Sequence, residues 1–461
     1  MQILIRILYL LFLLYFPSTS FSFYTHAIEK GGDCVVTDST KFKIDILGCD
    51  TDPLNIDKTN DLQFIANVPS SEGLVGKDKN LWDLQVFEDR IFIAYGNTTT
   101  NPGPIQLFAW DNSLDSLIDY GSIRGEAIEI FRVMNDTLFI PHSDPKGDSR
   151  KYNYVKNGQL VDIKLDYKLA HVRDMIYFED KYYLFGNTRC PKQFRSECSG
   201  LLELDGSTYR TDFLISELAE VDPYVNAKWN WFFGGWTYQN KLIIPNATFN
   251  EVYVPSYTIK DAQFYTISNG NIQWSATQNE AEKLTHFHFY PAKMMTTTYA
   301  DSIKFNTILR PHTSVEINDK LVYTLRSYSI TADFGNLYQT QYNNSRGMYL
   351  KDSLMGVAKV VNFPEPDAVG EDILTLNDQI VVLANKKMED GTHQVFVYSS
   401  TSPSNAAENW KELFHFQSTN LARSFEYHND TFYFGLGMNE GDEEAGVGEL
   451  YKLNWSFLIE D

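Results

Sequence analysis

Motifs that name a reaction are missing from this chain. No HExxH helix, GxSxG elbow or phosphate-binding glycine loop occurs in its 461 residues, so the common signatures of zinc proteases, α/β-hydrolases and P-loop enzymes are absent. Basic charge is scarce: 39 Lys and Arg stand against 60 Asp and Glu, for a net charge of −21. A phosphate-binding surface needs the opposite balance, which excludes nucleic acid and argues against an anionic membrane. Beyond Phe16 there is no apolar run near the roughly 20 residues that span a bilayer. No stretch rich in Pro, Gly or Ser separates a second domain. Cysteine is sparse, with Cys34 near Cys49 and Cys190 near Cys198. Four cysteines allow three connectivities; local pairing, 34 with 49 and 190 with 198, is the economical choice. Neither pair has CxxC spacing or a nearby His for zinc.

The first residues read as an address. Met1 to Arg6 carries one basic residue, Ile7 to Phe16 is unbroken apolar, and Ser20 and Ser22 precede a cleavage point. That is a secretory signal peptide over 1–22. An N-terminal extension with Cys34 and Cys49 follows over 23–60, and a single domain over 61–461. Asn97, Asn135, Asn246, Asn343, Asn429 and Asn454 each open an N-x-S/T tripeptide. With the leader they predict a secreted, extracellular glycoprotein. A monomer without a membrane span is expected.

What the domain does contain is repetition. Seven times an alternating apolar run meets a polar pair and a second alternating run: around Glu88-Asp89, Asn135-Asp136, Glu179-Asp180, Gln239-Asn240, Asn318-Asp319, Asn377-Asp378 and Asn429-Asp430. Two strands about a tight polar turn make a β-hairpin. The unequal spacing suits a propeller, whose blades tolerate insertions. Second hairpins, such as Lys151 to Leu165 around Asn157-Gly158, complete four-stranded blades. Aromatics, 15% of the chain, suit strands packed between sheets. The last repeat is one strand short, and Leu62 to Val68 is an orphan strand before the first. The expectation is an all-β, seven-bladed β-propeller closed by strands from both termini. The longest insertion, Ala276 to Pro311, is read as a loop with a short helix near Asn279 to Leu284.

In such a ring the short A–B and C–D turns share one face, and the long D–A and B–C connections share the other. Long loops on a rigid frame carry function, so the long-loop face is the functional one. Trp82, Asp83, Asp144, Arg173, Trp231, His312, Arg326, Glu371 and Arg423 fall at its axial rim, as candidate ligand-binding residues. Glu126 and Asp174 are the candidate catalytic acid and base, with His171 orienting. Trp82 and Trp231 also read as packing residues, and each carboxylate or histidine as a satisfied core group. No cofactor is required. Calcium could use the loops Ser143 to Asp148 and Asn439 to Glu444, though neither has the EF-hand pattern.

Tyr398-Ser399-Ser400-Thr-Ser-Pro-Ser-Asn-Ala-Ala-Glu-Asn-Trp410 resembles a lengthened Asp-box, Ser-x-Asp-x-Gly-x-x-Trp, and Ser268 to Trp274 is a weaker echo. Asp-boxes occupy the C–D turns of the sialidase-like superfamily of propellers, which this pattern resembles. Active sialidases hold a carboxylate with an arginine triad; the resemblance puts Arg173, Arg326 and Arg423 forward. Two departures stand against sialidase activity: the Phe/Tyr-Arg-Ile-Pro motif is absent, and there are seven repeats where sialidases have six blades. The reading is a propeller that binds, and if an enzyme cleaves, an extracellular glycan at its axis by glycoside-hydrolase-like chemistry. The alternatives are an interaction propeller for a secreted or cell-surface protein and a structural extracellular protein.

Overall fold

The computed structural model describes residues 56–68, 76–96, 103–143, 151–165, 169–189, 197–204, 211–217, 227–231, 234–251, 263–274, 297–299, 302–333, 342–354, 358–439, 442 and 444–455. The leader expected over 1–22, Cys34, Cys49, Cys190, Asn97 and Asp144 lie outside them, as does the helix expected near Asn279. Ile56–Asp461 forms one compact unit. It is a ring of seven four-stranded antiparallel blades, as the repeats predict. The inner strands, in order, are Asp83–Phe87, Arg132–Val133, Leu169–Phe178, Trp236–Tyr238, Ser302–Ile317, Val369–Leu376 and Leu421–His428.

The turn chemistry explains the regularity. Both residues of all seven polar pairs hold positive φ, between 47° and 61°. That is the type I′ turn, whose twist matches the flanking strands. Asn157-Gly158 and Asn269-Gly270 make the same turn between third and outer strands. Alternation then sends every second side chain into the gap between blades. Phe92, Tyr120 and Phe131 meet in one such gap, and Phe396, Tyr398 and Trp410 fill another. Val397, Phe414, Phe425 and Phe434 fill a third.

Blade 7 closes the ring. Its inner three strands are Leu421–His428, Thr431–Gly437 and Glu449–Asn454, and its outer strand is Gln63–Asn67 from the other end of the chain. Before that strand, Asp57 makes a parallel bridge to His415 on the outer strand of blade 6. The Lys58 N–H donates to the His415 carbonyl (2.7 Å) and the His415 N–H to the Ile56 carbonyl (2.8 Å).

Two connections differ from expectation. Residues 302–311 are not loop but the first half of the blade 5 inner strand, paired with Lys320–Asp333. In blade 4, Ala227–Trp231 pairs with the far end of Lys241–Glu251, so Trp231 ends a separate strand and the inner strand starts at Trp236. Hairpins of blades 4 and 5 thus run on past the ring on the long-loop side. In blade 5 the extra strand amounts to roughly 30 Å at about 3.3 Å per residue.

Candidate functional site

An inner strand has a neighbour on one edge only, so its axial N–H groups need other acceptors. The sequence supplies them at fixed repeat positions. Six residues before the second turn residue stand Asp83, Asp174 and Asp372, on blades 1, 3 and 6. Asp83 Oδ2 accepts the Phe131 N–H of blade 2 (2.7 Å). Asp372 accepts the Ile373 N–H (2.9 Å), the Thr313 hydroxyl of blade 5 (2.6 Å) and the Phe425 N–H of blade 7 (3.2 Å). Asp174 takes Nε and Nη2 of Arg132 on its two oxygens (2.8 and 2.9 Å), and its own Met175 N–H. Glu426 of blade 7 does the same service for blade 1, accepting the Val86 N–H (2.8 Å) and Gln85 Nε2 (3.1 Å).

At the long-loop mouth, four of the rim residues gather. The Arg423 guanidinium lies over the Trp82 ring at 4.8 Å, with Arg326 at 5.9 Å. Arg326 donates to the carbonyls of Trp82 (3.2 Å) and Arg423 (3.1 Å). Arg423 donates to the Met438 carbonyl (2.7 Å) and Asn439 Oδ1 (2.9 Å). The Trp82 indole donates to the Gly96 carbonyl (2.9 Å). Glu371 is buried beside both arginines, whose charges partly offset the burial that raises its carboxyl.

Burial dominates the electrostatics. It pushes Asp83 up to about 7, helped by the Asp372 charge and opposed by the Phe131 N–H, Arg132 and Arg326. Asp83 is half-buried, yet protein surrounds it closely. Burial pushes Glu426 up to about 8, with Asp83 and Asp372 adding repulsion. It also raises Asp372 and lowers Arg423.

The other nominated residues disperse. Arg173 is buried 3.8 Å from Glu129, while Arg326 and Arg423 meet at Trp82. Glu126 is fully buried in the connection between blades 1 and 2. His171 lies on the inner strand of blade 3, its backbone opposite Asn187 and Ser143; its side chain, like that of Trp231, is not described. His312 is buried with Nδ1 2.9 Å from the Thr313 hydroxyl. Of the calcium loops, the first lies mostly outside the described residues. In the second, Asp442 accepts from Lys387 (2.5 Å) and the Asn439 N–H (2.8 Å). Among the described residues no three His, Cys, Asp or Glu are grouped to hold a metal ion. Cys198 sits on the third strand of blade 3, opposite Thr188. Asn135, Asn429 and Asn454 are exposed.

Sequence reasoning missed Glu426, Arg132, Gln85 and Thr313. The first three share one repeat position, four residues before the second turn residue. In the other four blades that position holds Ile176, Trp236, Val315 and Leu374. Polar residues where the repeat is otherwise apolar were the available signal.

No family model and no curated protein matches the chain. Among solved structures it is similar to the β-propeller domain of the Trilobed protease from Pyrococcus furiosus, with 10% identity over 82% of this chain and 98% of that one, at TM-score 0.42. It is also similar to the polysaccharide lyase Uly1, with 10% identity over 87% and 99%, at 0.41. A chain of the Mitotic Checkpoint Complex aligns at 8% identity over 96% and 100%, also at 0.41. Among the described residues no helix is long and apolar enough to cross a membrane.

Proposed function

We propose that this chain is a secreted glycoprotein that holds a protein partner on its long-loop face, and that its axis is a fastening and not a reaction centre. The bonding of the axial side chains carries this reading. A sugar platform needs an open aromatic face, and Arg423 covers Trp82. A glycosidase needs two carboxyls facing one substrate site; Asp174 has both oxygens on Arg132, and Glu126 is enclosed. An axial carbohydrate would have to displace such bonds, at roughly 1–3 kcal/mol for each buried group left unpaired. The long-loop face, in contrast, carries the extended hairpins of blades 4 and 5. The leader and the sequons support a place outside the cell, and the acidic charge favours a cationic partner surface. A distant kinship with the sialidase-like superfamily would fit the Trp410 turn, which lies between the third and outer strands of blade 6.

The test places a glycan on that face. Asp390→Asn completes an N-x-T tripeptide with Thr392 in the turn between the second and third strands of blade 6. The secreted protein is crosslinked in extracellular medium, and contacts are read by mass spectrometry. The expected partner crosslinks to the long-loop face, and the Asp390→Asn glycoform weakens capture by about tenfold, or ~1.4 kcal/mol. Glu371→Gln leaves capture unchanged. Glycan binding or hydrolysis by the folded ring that Glu371→Gln abolishes would return function to the axis.

A further inference from the structure

Blade 7, built from both ends of the described chain, is fastened on each side of its inner strand by a buried carboxyl. On one side Asp372 of blade 6 accepts the Phe425 N–H. On the other, Glu426 accepts from Val86 and Gln85 of blade 1. Asp83 continues the series to Phe131 of blade 2. Three carboxyls on three consecutive inner strands therefore line one arc of the axis.

The charges facing them do not balance. Arg326 faces both Asp83 and Asp372. Arg132 also faces Asp83, but its guanidinium is bonded to Asp174. Glu371, beside Asp372, draws on Arg326 and Arg423 itself. From blade 5 the Thr313 hydroxyl, with His312 behind it, reaches Asp372 beside the Arg326 charge. Glu426 is faced by Asp83 and Asp372 and by neutral donors. Like charges that repel one another in a protein interior do not all ionise together.

We infer that this arc is a proton-held clasp: Asp372, Glu426 and Asp83 keep the seam between blades 6, 7 and 1 shut while they share protons, and the seam loosens as pH rises from acid to mildly alkaline. A protonated carboxyl still accepts an N–H through its carbonyl oxygen, so the proton removes repulsion and leaves the fastening in place. In the unfolded chain these groups release protons near 3.8 and 4.5, whereas in the ring Asp83 does so at about 7 and Glu426 at about 8. The folded state thus holds extra protons across the interval between. This contribution is complete in acid and is lost as pH climbs through the folded values. The clasp goes beyond the partner reading and does not depend on it.

Thermal unfolding of the full secreted chain from pH 5 to 9 tests it, with Glu426→Gln and Asp83→Asn as clasp variants. Asp378→Asn, which removes one exposed carboxylate from a turn, controls for net charge. The wild-type midpoint is expected to fall by at least about 4 °C over this range. Glu426→Gln and Asp83→Asn each flatten the fall, and together they remove less than the sum of the two because the groups titrate as a unit. Asp378→Asn runs parallel to wild type. A midpoint that is level or rises with pH, or a slope that the clasp variants share with the control, overturns the inference.

Discussion

Arg132 and Asp174 stand 42 residues apart and meet only because blades 2 and 3 are neighbours in the ring. Asp174→Ala leaves the guanidinium without its partner. The expected loss is about 2–3 kcal/mol, below the usual figure for a buried pair because Arg132 keeps 27% of its side-chain surface exposed. Arg132→Met added to Asp174→Ala should recover part of that loss, which denaturant titration would show; no recovery would mean the pair carries little. At this scale the sequence was half legible. Asp83, Asp174 and Asp372 recur at one repeat position, so their presence at the axis could be read. Their partners could not, since each bond crosses to another blade and depends on ring geometry. Grouping Glu126 and His171 with Asp174 rested on blade order alone, and the Arg132 pairing gives Asp174 a different role. Trp82 could be read as platform or packing, and only the place of Arg423 above its ring decides between them.

The hairpins were the most legible elements, because a type I′ turn demands two residues at positive φ and the Asn-Asp pairs tolerate it. Glu88 and Glu179 are less suited to that conformation, and both use their side chains on the next blade. Glu88 accepts the Gly158 N–H (2.6 Å), and Glu179 accepts the N–H groups of Asn269 (2.5 Å) and Gly270 (2.8 Å). The bond across blades offsets the local cost. In the turn at Asn377-Asp378, with φ of 47° and 60°, Asp378→Gly should stabilise by up to about 1 kcal/mol. Asp378→Val should destabilise by about 1–2 kcal/mol. Chemical denaturation of both variants checks the turn type; equal effects would mean that backbone conformation does not govern this site. The arm of blade 5 was not legible, because Pro311 interrupts its alternation. The structure accommodates that proline at a register shift between Pro311 and Ser314, where a ladder tolerates it.

For the whole molecule, the shortfall of one strand in the last repeat and the orphan before the first together gave the closure. The wider reading of function did not follow from it, since a ring is shared by many activities. Removing the chain through Asn67 should leave Glu449–Asn454 as an open edge. The expected result is a broadened melt and self-association by size-exclusion chromatography, reversed when a peptide of residues 56–68 is added. A sharp, unchanged melt would show that the closing strand contributes little. Closure also sets a schedule. Gln63 pairs with Lys452, 452 − 63 = 389 residues later, so the earliest of the described strands finds its partner last. At about 5–20 residues per second of synthesis, roughly 20–80 seconds pass between the two. Throughout that interval the outermost strand of blade 7 waits without its sheet, and it is the segment that a chaperone following this chain would have to guard longest.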